Sequence, residues 1–167
     1  MYLEPELTAE EPATEEEIRQ AMLAHIRQKT DEIKVKYGFI NYAVLEQILL
    51  DRKFVRFPVS IRFDSKVIES GMYSLTESRL ENSADVPDED DAEYVKEPER
   101  VYEIIMHEHF QGNETQLLPL ILYQLPIINY GNMANHEVAE VFGSELLRMD
   151  QEAYYQLICE LTDSIPV

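Results

Sequence analysis

The spacing of apolar residues changes twice along this chain, and that order constrains the fold more than any other feature. Residues 15–36 repeat apolar side chains at helical spacing, whereas residues 55–63 alternate apolar and polar side chains, as a strand with one buried face does. After about residue 113 the helical spacing returns. We therefore predict an α+β domain with two N-terminal helices, a small three-stranded sheet and three C-terminal helices.

Capping residues set the predicted ends of the helices. Ser, Thr, Asn and Asp side chains accept hydrogen bonds from the first free N–H groups of a helix. Four such residues precede the helical segments: Thr14, Asn41, Asn135 and Asp150. Glu17 follows Thr14 three residues later and completes a capping box. The predicted helices cover about 15–36, 41–51, 114–130, 135–148 and 150–163.

Three segments are predicted as strands. The first is residues 55–63, and Pro58, which has no N–H group to donate, favours an edge strand or the first part of one. The second is centred on residues 72–76, and the third covers residues 100–110. A long acidic loop over about 79–99 separates the last two strands.

The negative charge is concentrated in two segments. The chain has a net charge of −19, of which residues 1–17 carry −7 and residues 84–99 carry another −7. We predict a flexible acidic N-terminus over residues 1–13, followed by one domain over residues 14–167. The acidic segments would keep the protein soluble and steer basic partners. Alternatively, they would mimic a nucleic-acid phosphate array and inhibit a basic partner.

Composition also excludes several classes of protein. No apolar run reaches the length of a membrane span, and the acidic N-terminus does not have the pattern of a signal peptide. A single cysteine, Cys159, excludes an internal disulfide and favours a reducing cytoplasm. The sequence has no Lys/Arg stripe, so we expect no direct nucleic-acid binding. The five glycines form no phosphate-binding loop, and no G-x-S-x-G motif is present.

A His-x-His pair in the third predicted strand is a candidate metal site. His107 and His109 are two residues apart, so both imidazoles would point to the same side of a strand and could reach one divalent metal ion. A third ligand would have to come from His136 or Glu137. This reading makes the protein a metal-dependent enzyme, and it implies no other cofactor. The alternative is an exposed strand face that carries polar residues, or a histidine pair hydrogen-bonded to a loop.

Two C-terminal segments resemble a known family. QLLPLILYQLPIINYG and NHEVAEVFGSELLRM, preceded by a small sheet, resemble the two core helices of the ImmA/IrrE group of small zinc metallopeptidases. The family pattern E-A-x-x-F-A-x-E-L-L is echoed by Ala139, Phe142, Gly143, Glu145, Leu146 and Leu147. In element order the resemblance covers roughly residues 55–150.

The resemblance implies a zincin-like fold without a hydrolytic zinc site. In that group an HExxH helix supplies two zinc ligands and the general base. Here the two histidine positions fall on Tyr123 and Ile127, and the glutamate position falls on Gln124. The position of the third ligand falls on Val138, although Glu137 lies next to it.

Tyrosine is abundant in the C-terminal helices. The chain has ten tyrosines and no tryptophan, and four of them lie in these helices: Tyr123, Tyr130, Tyr154 and Tyr155. Tyrosine is enriched at protein interfaces, but it also lines the rims of cores. We predict that these four form a contact surface for a protein partner or a second copy. The function favoured by the sequence is therefore a non-catalytic protein-interaction or assembly subunit.

Overall fold

The computed structural model describes residues 12–81 and 98–166, so the predictions made for residues 1–11 and for most of the acidic loop lie outside the described residues. The predicted α+β class and element order are confirmed. The helices are α1 (Glu15–Tyr37), α2 (Tyr42–Leu50), α3 (Glu114–Tyr130), α4 (His136–Leu147) and α5 (Gln151–Asp163). The strands are β1 (Val59–Phe63), β2 (Ser74–Glu81) and β3 (Glu99–Met106).

The predicted N-caps are confirmed. The side chains of Thr14, Asn41, Asn135 and Asp150 each accept a hydrogen bond from a backbone N–H in the first turn of the helix that follows. α3 ends at Gly131, whose positive φ of 59° suits a residue without a Cβ. Local chemistry therefore determines the helix ends to within about two residues.

The sheet is mixed, with β3 in the centre. β1 pairs with β3 in parallel, and β2 pairs with the other side of β3 in antiparallel fashion. The first strand is an edge strand, as predicted, but it begins at Val59 and not at Val55. Val55 instead belongs to a buried turn, in which its N–H donates to the Asp51 carbonyl.

The other two strands also differ from their predicted bounds. β2 extends to Glu81, well beyond the segment 72–76. β3 ends at Met106, because His107 starts a short 3₁₀ turn. The Nδ1 atom of His107 accepts a hydrogen bond from the N–H of His109 at 3.0 Å, so this side chain caps the turn. The alternating sequence pattern continues past Met106, so it does not indicate that the strand ends there.

The core lies between one face of the sheet and the helices. Ile104 and Met106 of β3 are fully buried in the same cluster as Leu120 and Ile121 of α3. α4 and α5 pack so closely against each other that a Cβ added to Gly143 would overlap the ring of Tyr154. No helix in the described ranges has the length and apolar character that crossing a membrane requires.

Candidate binding cleft between β2 and α3

A cleft of about 440 Å³ opens between β2 and α3. We call it the β2–α3 cleft. Its lining is uncharged except for one imidazole, that of His136. The lining residues are Gly71, Met72, Tyr73, Ser74, Leu75, Thr76, Tyr123, Gln124, Ile127, His136, Ile158 and Thr162. In a chain with a net charge of −19, such a lining suits an uncharged ligand group.

The cleft exists because the residues of β2 that face the helices are small. Ser74 and Thr76 pair with Met106 and Ile104 of β3 and lie on the same face of the sheet. The two β3 side chains are fully buried, whereas the serine and threonine are only half buried. Short polar side chains at the edge of the sheet therefore leave room above α3.

The outer edge of β2 carries free backbone groups. The N–H of His107 donates to the Tyr73 carbonyl at 2.8 Å, which fixes the phase of the antiparallel ladder. Since hydrogen-bonding residues alternate along such a strand, the backbone groups of Ser74, Thr76 and Ser78 point away from β3. No other strand pairs with this edge within residues 12–81 and 98–166.

A hydrogen-bonded network forms the floor of the cleft. Gln124 of α3 donates to the hydroxyl of Tyr73 at 2.6 Å and lies 3.3 Å from the hydroxyl of Thr76. Tyr73 in turn donates to the Leu120 carbonyl at 3.4 Å. Burial raises the pKa of Tyr73 well above its ordinary value, so its hydroxyl remains a donor at neutral pH. The network ties β2 to α3 and holds the cleft in one shape.

A tyrosine and a histidine stand together at the cleft wall. The hydroxyl of Tyr123 lies 2.8 Å from Nδ1 of His136, and the two groups share a hydrogen bond. Burial, with a smaller contribution from the charge of Glu140, raises the pKa of Tyr123 to about 12. The phenol is therefore neutral at physiological pH and acts as a polar contact, not as a base.

Two of the predicted metal ligands stay close together, since the ring centroids of His107 and His109 are 6.4 Å apart, but His136 and Glu137 have other partners. His107 caps the turn after β3, and His109 lies 3.1 Å from the Ser164 hydroxyl at the end of α5. His136 contacts Tyr123, while Glu137 forms a bidentate ion pair with Arg19 at 2.6 and 2.7 Å. The described residues contain no group of three or more His, Cys, Asp or Glu side chains placed to hold a metal ion.

The four predicted interface tyrosines do not form one surface. Tyr154 is fully buried and donates to the Pro119 carbonyl at 2.7 Å, so it is a core residue. Tyr123 lines the β2–α3 cleft, and Tyr155 is 43% exposed on α5. Tyr130 lies elsewhere, against His25 of α1, with 2.9 Å between its hydroxyl and the imidazole Nε2.

Sequence reasoning missed Tyr73, Thr76 and Gln124, three residues that shape the cleft. The alternation of small polar residues at positions 74, 76 and 78 was visible, but the strand was placed too early in the sequence. An edge strand with short side chains on its inward face is the signal that could have indicated a cleft.

No model of a known protein family matches the chain, and no curated protein or solved structure matches it either.

Proposed function

We propose that this protein is a non-catalytic, cytoplasmic protein-interaction module that binds an extended segment of a partner protein in the β2–α3 cleft. One observation carries the proposal: a strand edge that no described strand pairs with borders a mostly apolar cleft, whose lining has no Asp, Glu, Lys or Arg. Extended peptides bind such sites by adding a strand, in which backbone hydrogen bonds supply affinity and pockets for alternate side chains supply specificity.

The backbone edge would hold the partner segment. Ser74, Thr76 and Ser78 present N–H and C=O groups that no described strand uses. An exposed edge of this kind is a template for pairing with another chain. A partner strand on this edge would place every second side chain toward α3, where the cleft lies.

The cleft would select one apolar side chain of that segment. Ile127 and Ile158 supply apolar walls, and the polar groups of Tyr123, Gln124 and Thr162 stand around them. A charged side chain would lose water here without gaining an ionic partner, which costs more than an apolar side chain gains. We therefore expect a large aliphatic or aromatic residue at this position of the partner.

The resemblance to the ImmA/IrrE group supports a binding cleft in place of a catalytic one. The three positions on which its HExxH residues fall, Tyr123, Gln124 and Ile127, all line the cleft. Two of them engage in hydrogen bonds with His136, Tyr73 and Thr76. We infer a zincin-like scaffold in which a hydrogen-bonded floor occupies the place of the metal centre.

Exposed acidic residues on the sheet support the steering of basic partners. Glu77, Glu81 and Glu99 are exposed along β2 and at the start of β3. Charges around an interface raise association rates more than they raise affinity, and salt screens them. The association rate of a partner with basic residues beside its apolar anchor should therefore fall as salt is added.

The proposal can be tested by selecting binders from a display library of random peptides and measuring their affinity for two variants. Thr76→Lys places a long charged side chain in the cleft, whereas Thr115→Lys makes the same change at an exposed position of α3 outside the cleft. We expect Thr76→Lys to lower the affinity for the selected peptides by at least about tenfold, the equivalent of about 1.4 kcal/mol.

The control and the amide signals decide the result. Thr115→Lys should bind as the wild type does, and both variants should keep the wild-type circular dichroism spectrum. The amides of Ser74, Thr76 and Ser78 should become protected from exchange when a peptide binds. If neither substitution changes the affinity of the selected peptides, and if the peptides protect no amide of β2 from exchange, the cleft is not the binding site.

A further inference from the structure

A second groove, of about 630 Å³, runs along the outer side of α1 and ends at the loop after α2. We call it the α1 groove. Its lining residues are Ala24, Arg27, Gln28, Asp31, Glu32, Val35, Lys36, Lys53 and Phe54. The α1 members recur every three or four residues and so form one stripe along the helix.

The groove combines an exposed apolar floor with cations. Val35 is 88% exposed, which is high for a β-branched apolar residue in a helix. Two ammonium groups lie over the ring of Phe54, with Nζ of Lys53 at 5.5 Å and Nζ of Lys36 at 5.9 Å from its centre. Such contacts hold cations over an aromatic surface and position them for a second, anionic partner.

The charge of this region opposes that of the rest of the chain. The groove is lined by three cations, Arg27, Lys36 and Lys53, and by two anions, Asp31 and Glu32, so its lining carries a net charge of +1 in a chain of net charge −19. At physiological ionic strength charges are screened beyond about 8 Å. A local positive patch therefore attracts anions even on a protein of negative net charge.

Two cations of the groove lack a carboxylate partner within the described residues. Glu32 and Asp31 lie near Lys29 and Lys34, at 3.4 and 3.5 Å. Lys36 is held by Asp51 at 2.6 Å. Arg27 and Lys53 have no carboxylate within 4.0 Å among the described residues.

We propose that the α1 groove binds an acidic peptide segment of a partner protein. Carboxylates of the segment pair with Arg27 and Lys53, and an apolar side chain between them covers Val35. A peptide fits better than a nucleic acid, because two available cations and an apolar floor do not match a continuous phosphate array. This surface is independent of the β2–α3 cleft, so the two proposals stand or fall separately.

The test measures binding of a fluorescent peptide in which Glu alternates with Leu, and of its Gln-for-Glu analogue, by anisotropy. The variant pair Arg27→Gln/Lys53→Gln is compared with Lys66→Gln/Arg100→Gln, which removes the same charge from two other cations that have no carboxylate within 4.0 Å among residues 12–81 and 98–166. We expect the groove pair to weaken the acidic peptide about fivefold, as two exposed ion pairs would. The control pair should leave its affinity unchanged.

The apolar contact has a matched control of its own. Val35→Ser should weaken the acidic peptide, whereas Val67→Ser, at another exposed valine, should not. The Gln analogue should bind at least about fivefold more weakly than the acidic peptide.

Four results would overturn the proposal. The first is no binding of the acidic peptide at about 1 mM, the weak end of specific affinities. The second is an equal loss in both double variants, which would indicate a general charge effect. The third is preferential binding of a single-stranded oligonucleotide. The fourth is self-association of the protein that the peptide displaces, which would assign the groove to a second copy.

Discussion

The packing around α3 differs sharply between two regions, which we call the packed side and the cleft side. On the packed side α4 and α5 approach so closely that Gly143 has no room for a single methyl group beside Tyr154. On the cleft side the inward residues of β2 leave a cleft of about 440 Å³, which His136 of α4 and Ile158 of α5 also line. The same helix thus supports a tightly packed core and an open surface. Side-chain size on the facing element decides which of the two forms.

The difference separates residues that maintain the fold from residues available for binding. A close-packed interface tolerates neither added nor removed atoms, whereas a cleft tolerates both with little change in stability. Substitutions on the two sides should therefore affect different measurements. The packed side should change the free energy of unfolding, and the cleft side should change affinity for a partner.

The largest effect is expected for Gly143→Ala. The added Cβ would overlap the ring of Tyr154, which is fully buried and cannot move into solvent. We expect a loss of about 3 kcal/mol in the free energy of unfolding, measured by urea denaturation. When Tyr154→Leu is combined with Gly143→Ala, most of the loss in the free energy of unfolding caused by Gly143→Ala should disappear. If the losses of the two single variants simply added, the proposed overlap would be contradicted.

A smaller effect is expected for Tyr154→Phe. The hydroxyl of Tyr154 donates a hydrogen bond to the Pro119 carbonyl in the buried interior. Phenylalanine cannot donate this bond, so the carbonyl loses its donor. We expect a loss of about 1–2 kcal/mol. Tyr123→Phe removes a hydroxyl from the cleft wall, where water can replace it, and should cost less than about 0.5 kcal/mol. Equal losses in the two variants would remove the distinction between the sides.

An ionic contact away from both sides should respond to pH. A hydrogen bond from Lys36, together with one from Tyr37, lowers the pKa of Asp51 below 3.8. A lowered pKa in the folded state stabilises the protein above pH 3.8, and this contribution disappears as the pH falls through the lowered value.

Asp51→Asn tests this contact. We expect it to lower the melting temperature by about 2–4 °C at pH 7, the equivalent of about 1 kcal/mol. The difference from the wild type should close as the pH is lowered below 3.8. A difference that persists at low pH would show that the asparagine disturbs the structure for another reason.

The smallest effect on stability is expected for Thr76→Leu. The longer side chain would extend into the cleft without meeting a packed neighbour, although it loses a 3.3 Å contact with Gln124. We expect a change of less than about 0.5 kcal/mol in the free energy of unfolding. A loss comparable to that of Gly143→Ala would mean that the cleft side is packed after all.

The helices could be predicted from the sequence because their signals are local. Each N-cap lies next to the helix that it begins, and Gly131 lies next to the helix that it ends. The strand pairing could not be predicted, because Val59 and Tyr102 meet across a long stretch of sequence. The parallel pairing of β1 with a central β3 depends on tertiary packing, which no short pattern specifies.

The cleft was harder to predict than the fold. The cleft remains open because the side chains of Ser74 and Thr76 are small and do not fill it. Tyr154 was assigned to the surface because of its residue type, yet its spacing with Ile158 and Leu161 gives the buried stripe of α5. Periodicity was the better guide there, since it separates Tyr154 from the exposed Tyr155.

The most direct test of the account is site-specific photo-cross-linking in cells that make the protein. A photoreactive amino acid at Ile127, which lines the cleft and is 39% exposed, is compared with one at Val67, which is 45% exposed and lies outside the cleft. We expect a discrete adduct at position 127 that Thr76→Lys abolishes, and none at position 67. Adducts of equal yield at both positions, or an adduct that Thr76→Lys leaves unchanged, would contradict it.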